Sequence, residues 1–190
     1  MENLDEKIKK AFDWLLLENG DGFLSSQEHC PTRDIFQARL SHMSREMELL
    51  ESLHIIFPLL SAMIGEIGNN AFDHNLGNWR DERGVYFTYD LSKRFAVIAD
   101  RGQGVLATLQ RVRPDLKNEN EAIMLAFTKK ISGRAPEKRG NGLKFVELVV
   151  REHGLKIDFY SGNGMYIINN GIHEGTSNQT LRGVLAIIFF

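Results

Sequence analysis

Apolar residues recur every three or four positions through the first third of the chain, which is the spacing of amphipathic helices. One such segment covers residues 6–18 and stops at the turn-forming run 19–22, Asn-Gly-Asp-Gly. A second segment covers about 34–53. A third apolar run contains Pro58, so the helix that it predicts either begins near this proline or is kinked by it, and continues to about Leu76.

The second half of the chain changes to a strand-like composition. Residues 85–89 and 94–99 are rich in β-branched and aromatic residues and are separated by a short polar turn, which predicts a β-hairpin. The later pattern predicts two helices and then three strands, at about 119–130, 143–152, 155–160, 164–168 and 183–189. This order predicts an α+β fold, a two-layer sandwich with a mostly antiparallel sheet.

The composition adds limits on size and partners. With 190 residues, 43% of them hydrophobic and 25% charged, the chain can bury one core but hardly two. We therefore expect a single globular domain with attachments. The 23 basic and 25 acidic residues give a net charge of −2, too weak a field to recruit nucleic acid or an anionic membrane. Neither is expected as a partner, and any anion site must be local.

Targeting features point to the cytoplasm. The first six residues carry acids and no basic start before an apolar run, so no signal peptide is predicted. No apolar run approaches the roughly 18 to 20 residues of a membrane helix. Cys30 is the single cysteine, which excludes an internal disulfide and fits a reducing compartment.

The third predicted helix carries a polar stripe beside its apolar face. At about 100° per residue, Glu66, Asn70 and Asp73 fall within one narrow arc. Asn is a poor helix former, and Gly65 and Gly68 each cost about 1 kcal/mol relative to Ala, so stability alone does not explain the stripe. An acid one turn from an amide can orient water and a hydrated cation, and the glycines leave room for a group to approach the backbone. A solvated helix face is the alternative.

A second cluster, Asp100-Arg101-Gly102-Gln103-Gly104-Val105, directly follows the predicted strand 94–99. Alternating glycines let the backbone come close to a flat ligand, while the carboxylate of Asp100 can accept hydrogen bonds from an amine. A tight turn without a ligand is the other interpretation. The segment is not a dinucleotide-binding fingerprint, because no third glycine and no parallel βαβ unit follow it.

A third cluster, Arg-Gly-Asn-Gly-Leu at residues 139–143, opens the predicted helix 143–152. Glycines before a helix expose its unpaired amide groups, which together with the helix dipole form a phosphate site. The segment leading into it is basic, with only Glu137 against Lys129, Lys130, Arg134, Lys138 and Arg139. A local anion site is therefore predicted here, with a solvated basic loop as the alternative.

Taken together and in this order, the three clusters resemble the three ATP-binding boxes of the GHKL superfamily, which includes gyrase, heat-shock chaperone ATPases, sensor histidine kinases and anti-sigma-factor serine kinases. The matching residues are Glu66, Asn70, Asp73 and His74, then Asp100, Gly102, Gly104 and Val105, then Gly140, Gly142 and Leu143. The resemblance covers roughly residues 55–190. It implies a Bergerat fold, in which a mixed, mostly antiparallel sheet carries helices on one face, and it leaves residues 1–54 as an N-terminal helical extension.

The resemblance also implies roles for these residues. Asn70 would ligate a Mg²⁺ ion that bridges the phosphates of ATP, and Asp100 would bind the adenine amine. Residues from about 106 to 139 would form a lid over the nucleotide. The residues expected at the cofactor are Asn70, Asp73, Asp100, Gly102, Gly104, Val105, Lys138, Arg139, Gly140, Gly142 and Leu143.

Glu66 matches the general base of the hydrolysing and serine-kinase branches and is the predicted catalytic residue. An acid there favours attack by an alcohol or by water, since an imidazole needs no deprotonation. Ala71 and His74 look most like the anti-sigma kinases, whereas Asp73 is similar to the gyrase and chaperone branch, so the branch stays open. The implied function is that of a Mg-ATP-dependent serine/threonine kinase or ATPase of bacterial-type regulation, with a protein partner as phosphate acceptor. A non-enzymatic ATP switch is the alternative, and a histidine-kinase ATP-binding domain is the third.

Two features depart from the GHKL pattern. Many relatives carry Gly-Thr at the start of the last strand, where this chain has Gly183-Val184, so adenine binding is expected to be weaker or to use another water network. Residues 41–48 superficially resemble a phosphoacceptor-histidine box, but His42 lies only 24 residues before Glu66, too close for the usual two-helix hairpin. We interpret His42 as an ordinary helical histidine. Residues 1–54 are candidates for docking or for homodimerisation.

Overall fold

The computed structural model of the chain describes residues 5–129 and 142–190. Six helices lie in these ranges: α1 (Glu6–Leu16), α2 (Arg33–Glu48), α3 (Phe57–Asn75), α4 (Gly104–Gln110), α5 (Glu119–Thr128) and α6 (Gly142–Glu152). Seven strands accompany them: β1 (His29–Cys30), β2 (Val85–Asp90), β3 (Phe95–Asp100), β4 (Lys156–Ser161), β5 (Gly164–Ile168), β6 (Ile172–Thr176) and β7 (Val184–Phe189). Every element except α4, β1 and β6 overlaps a segment that the hydrophobic pattern predicts.

The strands form one sheet in the order β1-β2-β3-β7-β4-β5-β6. Each pair of neighbours in this order is antiparallel, and β7 joins the two halves of the sheet by pairing with β3 on one side and β4 on the other. The α+β class and the mostly antiparallel sheet are therefore confirmed. The parallel pairing of a mixed sheet does not occur between the described strands, and the Bergerat fold itself stays a prediction.

The main core lies between one face of the sheet and a layer formed by α2, α3, α5 and α6. Ile64 of α3 and Val146 of α6, for example, are buried in the same cluster as Ile98 of β3 and Ala186 of β7. Successive side chains of a strand point to opposite faces. The other side chains of β3 and β7 therefore need a second cover.

Helix α1 provides that cover on the face opposite the other helices. Trp14 and Leu15 are buried with Val97 of β3 and Ile187 of β7 on the face opposite the main core. The physical reason is the near-continuous apolar sequence of both strands, which is typical of strands buried on two faces. Helix α1 thus packs directly on the sheet, although it belongs to the predicted N-terminal extension, residues 1–54.

Helix α3 begins at Phe57 with Pro58 in its first turn, where the missing N–H of proline costs no hydrogen bond. Of the two expectations for this proline, a helix start is therefore correct. The glycines of α3 face α2: a Cβ atom at Gly68 would overlap the ring of Phe36, and one at Gly65 would lie 3.3 Å from Leu40 Cδ2. The interpretation of these glycines as room for an approaching ligand is wrong, because α2 fills that space.

Three short elements have no clear signal in the hydrophobic pattern. Strand β1 has two residues, and α4 follows the glycine cluster directly and has seven. Strand β6 is an edge strand whose five residues are almost all exposed, so its sequence shows no alternation of apolar and polar positions. These elements form because their neighbours hold them, through pairing with β2 and β5 and through packing against α5.

Candidate functional site

The first and third sequence clusters meet where α6 begins. A Cβ atom at Gly142, the first residue of α6, would lie 2.7 Å from Oε2 of Glu66 and 3.3 Å from Nδ2 of Asn70. A larger residue at this position would therefore require the end of the Glu66 side chain to move and would press on Asn70. Leu143 follows in the first turn of α6 and packs at the edge of the main core. Lys138, Arg139 and Gly140 lie outside the described residues.

This arrangement combines three chemical functions within contact distance. The first turn of α6 has backbone N–H groups that find no partner within the helix, and it carries the positive end of the helix dipole, and both features attract an anion. The side-chain oxygen of Asn70 is a ligand of the kind that Mg²⁺ accepts alongside phosphate oxygens. The carboxylate of Glu66 is solvent-exposed on the same surface and is able to accept a proton from water or a hydroxyl.

Asp73, the third member of the stripe, forms an ion pair with α2. The guanidinium of Arg33 donates a hydrogen bond to Oδ1 of Asp73, and its Cζ lies 6.0 Å from the ring centroid of Phe72. The stripe is therefore divided: its first two members face Gly142, while the carboxylate of Asp73 is engaged by a cation at the start of α2. A role for Asp73 at a cofactor stays a prediction.

The second cluster surrounds the carboxylate of Asp100 at the end of β3. Asp100 is 5% exposed, and its Oδ1 accepts hydrogen bonds from Nδ2 of Asn75 and from the backbone N of Gly102, both at 2.9 Å. Desolvation by burial raises the pKa of Asp100 to about 6, against the opposing effect of these two hydrogen bonds. A Cβ atom at Gly102 would overlap the amide of Asn75, so the contact requires glycine.

Asp100 belongs to a row of residues that runs across three strands. In the sheet register Asp100 pairs with Val184 of β7, and Val184 pairs with Ser161 of β4. The hydroxyl of Ser161 is buried and accepts a hydrogen bond of 2.9 Å from the backbone N of Val105. Gly104 has a φ of +82°, and a Cβ atom there would lie 3.0 Å from Ser161 Oγ. The glycine cluster is thus shaped by its neighbours on β4 as well as by Asp100.

Val184, where the sequence differs from the expected Gly-Thr pattern, lies in the middle of this row. It stands between Asp100 and Ser161, so an apolar side chain occupies the middle of the row. Gly183 has a φ of +111°, and a Cβ atom there would overlap the backbone carbonyl of Asp100. Ser161 supplies a buried hydroxyl one strand further along, at a distance from Asp100 of two strand spacings, or about 10 Å.

Arg101 points away from the candidate site, toward α1. Its guanidinium is fully buried, forms a bidentate ion pair with Asp81, and donates to the backbone carbonyl oxygens of Trp14, Leu17 and Glu18. These bonds satisfy carbonyl groups at the end of α1 that have no partner within the helix. Two adjacent residues of one cluster therefore act on opposite faces of the sheet. Asp100 lies at the candidate site, whereas Arg101 binds the end of α1.

Sequence reasoning missed Asn75 and Ser161. Asn75 is five residues beyond Asn70, which at about 100° per residue turns it to the side of α3 opposite Glu66, where it is 3% exposed. The helical period assigns position 75 to the core, so the presence of a polar residue there was a sign that Asn75 has a specific partner. Ser161 had none, because it depends on the pairing of β4 with β7.

The described part of the expected lid, residues 106–129, consists mainly of α4 and α5. Leu109, Leu116 and Ala122 form a small apolar cluster of their own, and α5 packs against β5. Asn120 at the start of α5 accepts a hydrogen bond of 3.2 Å from the backbone N of Met165. Residues 130–141 lie outside the described ranges, and a lid function of 106–139 stays a prediction.

Comparison with known proteins gives no family assignment. No protein-family model matches the chain, and no curated protein matches it at a significant level. Within residues 5–129 and 142–190, no helix has the length and apolar character needed to span a membrane.

Proposed function

We propose that this chain binds Mg-ATP and catalyses phosphoryl transfer, to a serine or threonine hydroxyl of a regulatory protein partner or to water. The proposal combines the GHKL resemblance with the chemistry of the two groups described above. Asp100 would accept a hydrogen bond from adenine, Asn70 would ligate Mg²⁺, and the first turn of α6 would hold phosphate oxygens. Glu66 would be the general base.

The approach of Gly142 to Glu66 and Asn70 is the observation that carries this proposal. These residues are separated by more than 70 positions in the sequence, yet the start of α6 lies directly against the polar stripe, so that a Cβ atom at Gly142 would lie 2.7 Å from Oε2 of Glu66 and 3.3 Å from Nδ2 of Asn70. An anion-binding helix terminus, a Mg²⁺-compatible amide and a proton acceptor at one point form the set that phosphoryl transfer requires. Packing alone does not call for this combination.

The position of Asp100 adds support for a nucleotide base as part of the ligand. A phosphate site attracts many anions, whereas a buried carboxylate beside close-packed glycines selects a flat group with a hydrogen-bond donor. In this proposal the base lies at Asp100 and the phosphates lie at the start of α6.

Calorimetric titration with ATP and with ADP, each with and without Mg²⁺, tests the binding proposal. We expect ATP to bind more tightly with Mg²⁺ than without it, and the Asp100→Asn variant to lose binding, because the new amide presents a donor to the adenine amine. Absence of binding at millimolar nucleotide would refute the proposal and would leave the chain as an interaction module.

The Glu66→Gln variant tests catalysis. Glutamine keeps the size of Glu66 but accepts no proton, so we expect phosphate release from ATP to fall by about 10²–10⁴-fold while the Kd for Mg-ATP changes little. Glu48→Gln, an exposed change at the end of α2, is the matched control. Binding of ATP without measurable turnover in either protein would favour the ATP switch instead. Phosphohistidine in the protein after incubation with ATP would favour the histidine-kinase alternative.

A further inference from the structure

The two carboxylate oxygens of Asp100 have different surroundings. Both hydrogen bonds to this side chain, from Asn75 Nδ2 and from the backbone N of Gly102, end on Oδ1 at 2.9 Å. Among the described residues no donor reaches Oδ2. An ionised carboxylate is acceptor-only, and each of its oxygens has lone pairs to fill. Oδ2 is therefore the oxygen that remains for a ligand.

Asn75 uses both ends of its amide in this arrangement. While Nδ2 donates to Asp100, Oδ1 of Asn75 accepts a hydrogen bond of 3.0 Å from the backbone N of Gln103. The neighbouring Gln103 side chain in turn donates to the backbone carbonyl of His74 at 2.7 Å. Rotation of either the Asp100 carboxylate or the 102–103 backbone would break these bonds. The end of α3 thus holds the carboxylate and the glycine cluster in one fixed orientation.

We propose that Asn75 is a positioning residue that determines which purine the site accepts, because it occupies Oδ1 of Asp100 and directs Oδ2 alone at the ligand. This inference rests on the proposed nucleotide function. A single acceptor held in place pairs with the 6-amino group of adenine. The 6-oxo group of hypoxanthine or guanine would bring a second acceptor against Oδ2 and would be rejected. Without Asn75 the carboxylate is free to rotate or to take up a proton, and the rejection of the oxo group weakens.

The charged and titratable groups around Asp100 leave this arrangement intact. Charged and titratable residues of α3, of the loop after β3 and of the start of α5 include Glu66, Asp73, His74, Arg101 and Glu119, and none of them is among the causes of the pKa shift of Asp100. Asp73 pairs with Arg33 and Arg101 pairs with Asp81, while Glu119 accepts a hydrogen bond from Ser161, which lies two strands from Asp100. The pKa of Asp100 is determined by its burial and by its bonds to Gly102 and Asn75.

The first measurement uses the free protein and needs no nucleotide. The carboxyl ¹³C signal of Asp100 is titrated by NMR in the wild type, in Asn75→Ala and in the control Asn78→Ala. The side chain of Asn78 donates a hydrogen bond to the backbone carbonyl of Leu76 at an exposed position. Loss of the Asn75 donor should raise the pKa of Asp100 above its wild-type value, because that hydrogen bond favours the charged form. The control should not change it. Asn75→Ser is the second variant in case the alanine does not fold.

The second measurement is the ratio of Kd values for ITP and ATP, taken as a function of pH. We expect a wild-type preference for ATP that falls by about tenfold in Asn75→Ala, the size expected from loss of one hydrogen bond to a charged group. ATP binding to the wild type should weaken as the pH falls through about 6, as Asp100 takes up its proton, and the midpoint should move to higher pH in the variant. A purely structural role of Asn75 would weaken both nucleotides equally and leave the midpoint unchanged.

The outcomes separate the two proposals. If the wild type binds neither nucleotide, the proposed function fails, and the role of Asn75 in purine choice fails with it. If the wild type binds ATP and the folded Asn75→Ala variant keeps both the ITP to ATP ratio and the Asp100 pKa, only the present inference is overturned. The inference is supported if Asn75→Ala lowers the ratio of the Kd for ITP to the Kd for ATP and moves the midpoint of the pH dependence of ATP binding to higher pH.

Discussion

Replacement of Asp100 by asparagine should stabilise the free protein while it removes nucleotide binding. The carboxylate is buried at the end of β3, and its pKa is raised by desolvation from 3.8 to about 6. In the Asp100→Asn variant, Oδ1 of the new amide accepts the same two hydrogen bonds, from Asn75 and from Gly102. What the substitution removes is the cost of burying a negative charge.

The magnitude and its sign follow from the two pKa values. A folded-state pKa above the unfolded value means that ionisation is easier in the unfolded chain, so the contribution of Asp100 to stability is most favourable below pH 3.8 and is lost as the pH rises through about 6. A difference of about two units corresponds to about 3 kcal/mol at pH 7.5. The new NH₂ group needs a partner of its own, which costs about 1–2 kcal/mol if none forms. We therefore expect a net gain of about 1–3 kcal/mol, or about 2–12 °C in Tm for a chain of this size.

The assay is calorimetric melting of both proteins between pH 4.5 and 8.5 without nucleotide. The Tm of Asp100→Asn relative to the wild type should increase with pH and level off above about pH 7. Asp21→Asn, an exposed change in the loop after α1, controls for the loss of one negative charge. A variant that is destabilised by the same amount at every pH would refute the assignment of the burial cost to the ionised carboxylate.

Two further predictions concern the packing of α1 and of α2. Asp81→Asn should destabilise the protein by about 3–5 kcal/mol in urea unfolding, because it leaves the fully buried guanidinium of Arg101 without its anionic partner. Arg101→Met should also destabilise it, because it removes the hydrogen bonds to Asp81 and to the backbone carbonyls of Trp14, Leu17 and Glu18; an equally stable variant would show that these bonds to the end of α1 are dispensable. Gly68→Ala should cost about 1–3 kcal/mol through overlap with Phe36, and Gly65→Ala should cost less. Adding Phe36→Leu should recover part of the Gly68→Ala loss, whereas simple additivity of the two changes would contradict the overlap.

The sequence predicts most of the regular elements because their signals are local. The periodicity of α1, α2 and α3 and the β-rich composition of β2 and β3 each lie within a short window. Two features that the pattern did not predict depend on long-range contacts. Strand β6 forms by pairing with β5, and the position of α1 is determined by the apolar face of β3 and β7 that lies opposite the main core. The run Phe95–Ala99 contained that information, since a strand that is apolar at every position needs cover on both faces.

The candidate site divides in the same way. Spacing alone put Glu66 and Asn70 on one face of α3, and the structure places Gly142 against both of them. The sequence did not predict the hydrogen-bond partner of Asp100, because the packing of α3 on β3 brings Asn75 and Asp100 together. Sequence spacing describes which residues share a surface. It does not describe which residue on another element completes a hydrogen bond.

The position of β7 in the sheet has a consequence for how the protein folds. Strand β7 follows the other six in the chain but lies between β3 and β4, so the half-sheets β1-β2-β3 and β4-β5-β6 share no strand pairing until it inserts. Contacts of such long sequence separation are slow to form, and the unpaired edges of β3 and β4 are exposed to misassembly in the meantime. The same insertion brings Val184 between Asp100 and Ser161. During synthesis, the sheet and the row formed by Asp100, Val184 and Ser161 are therefore completed in one late step.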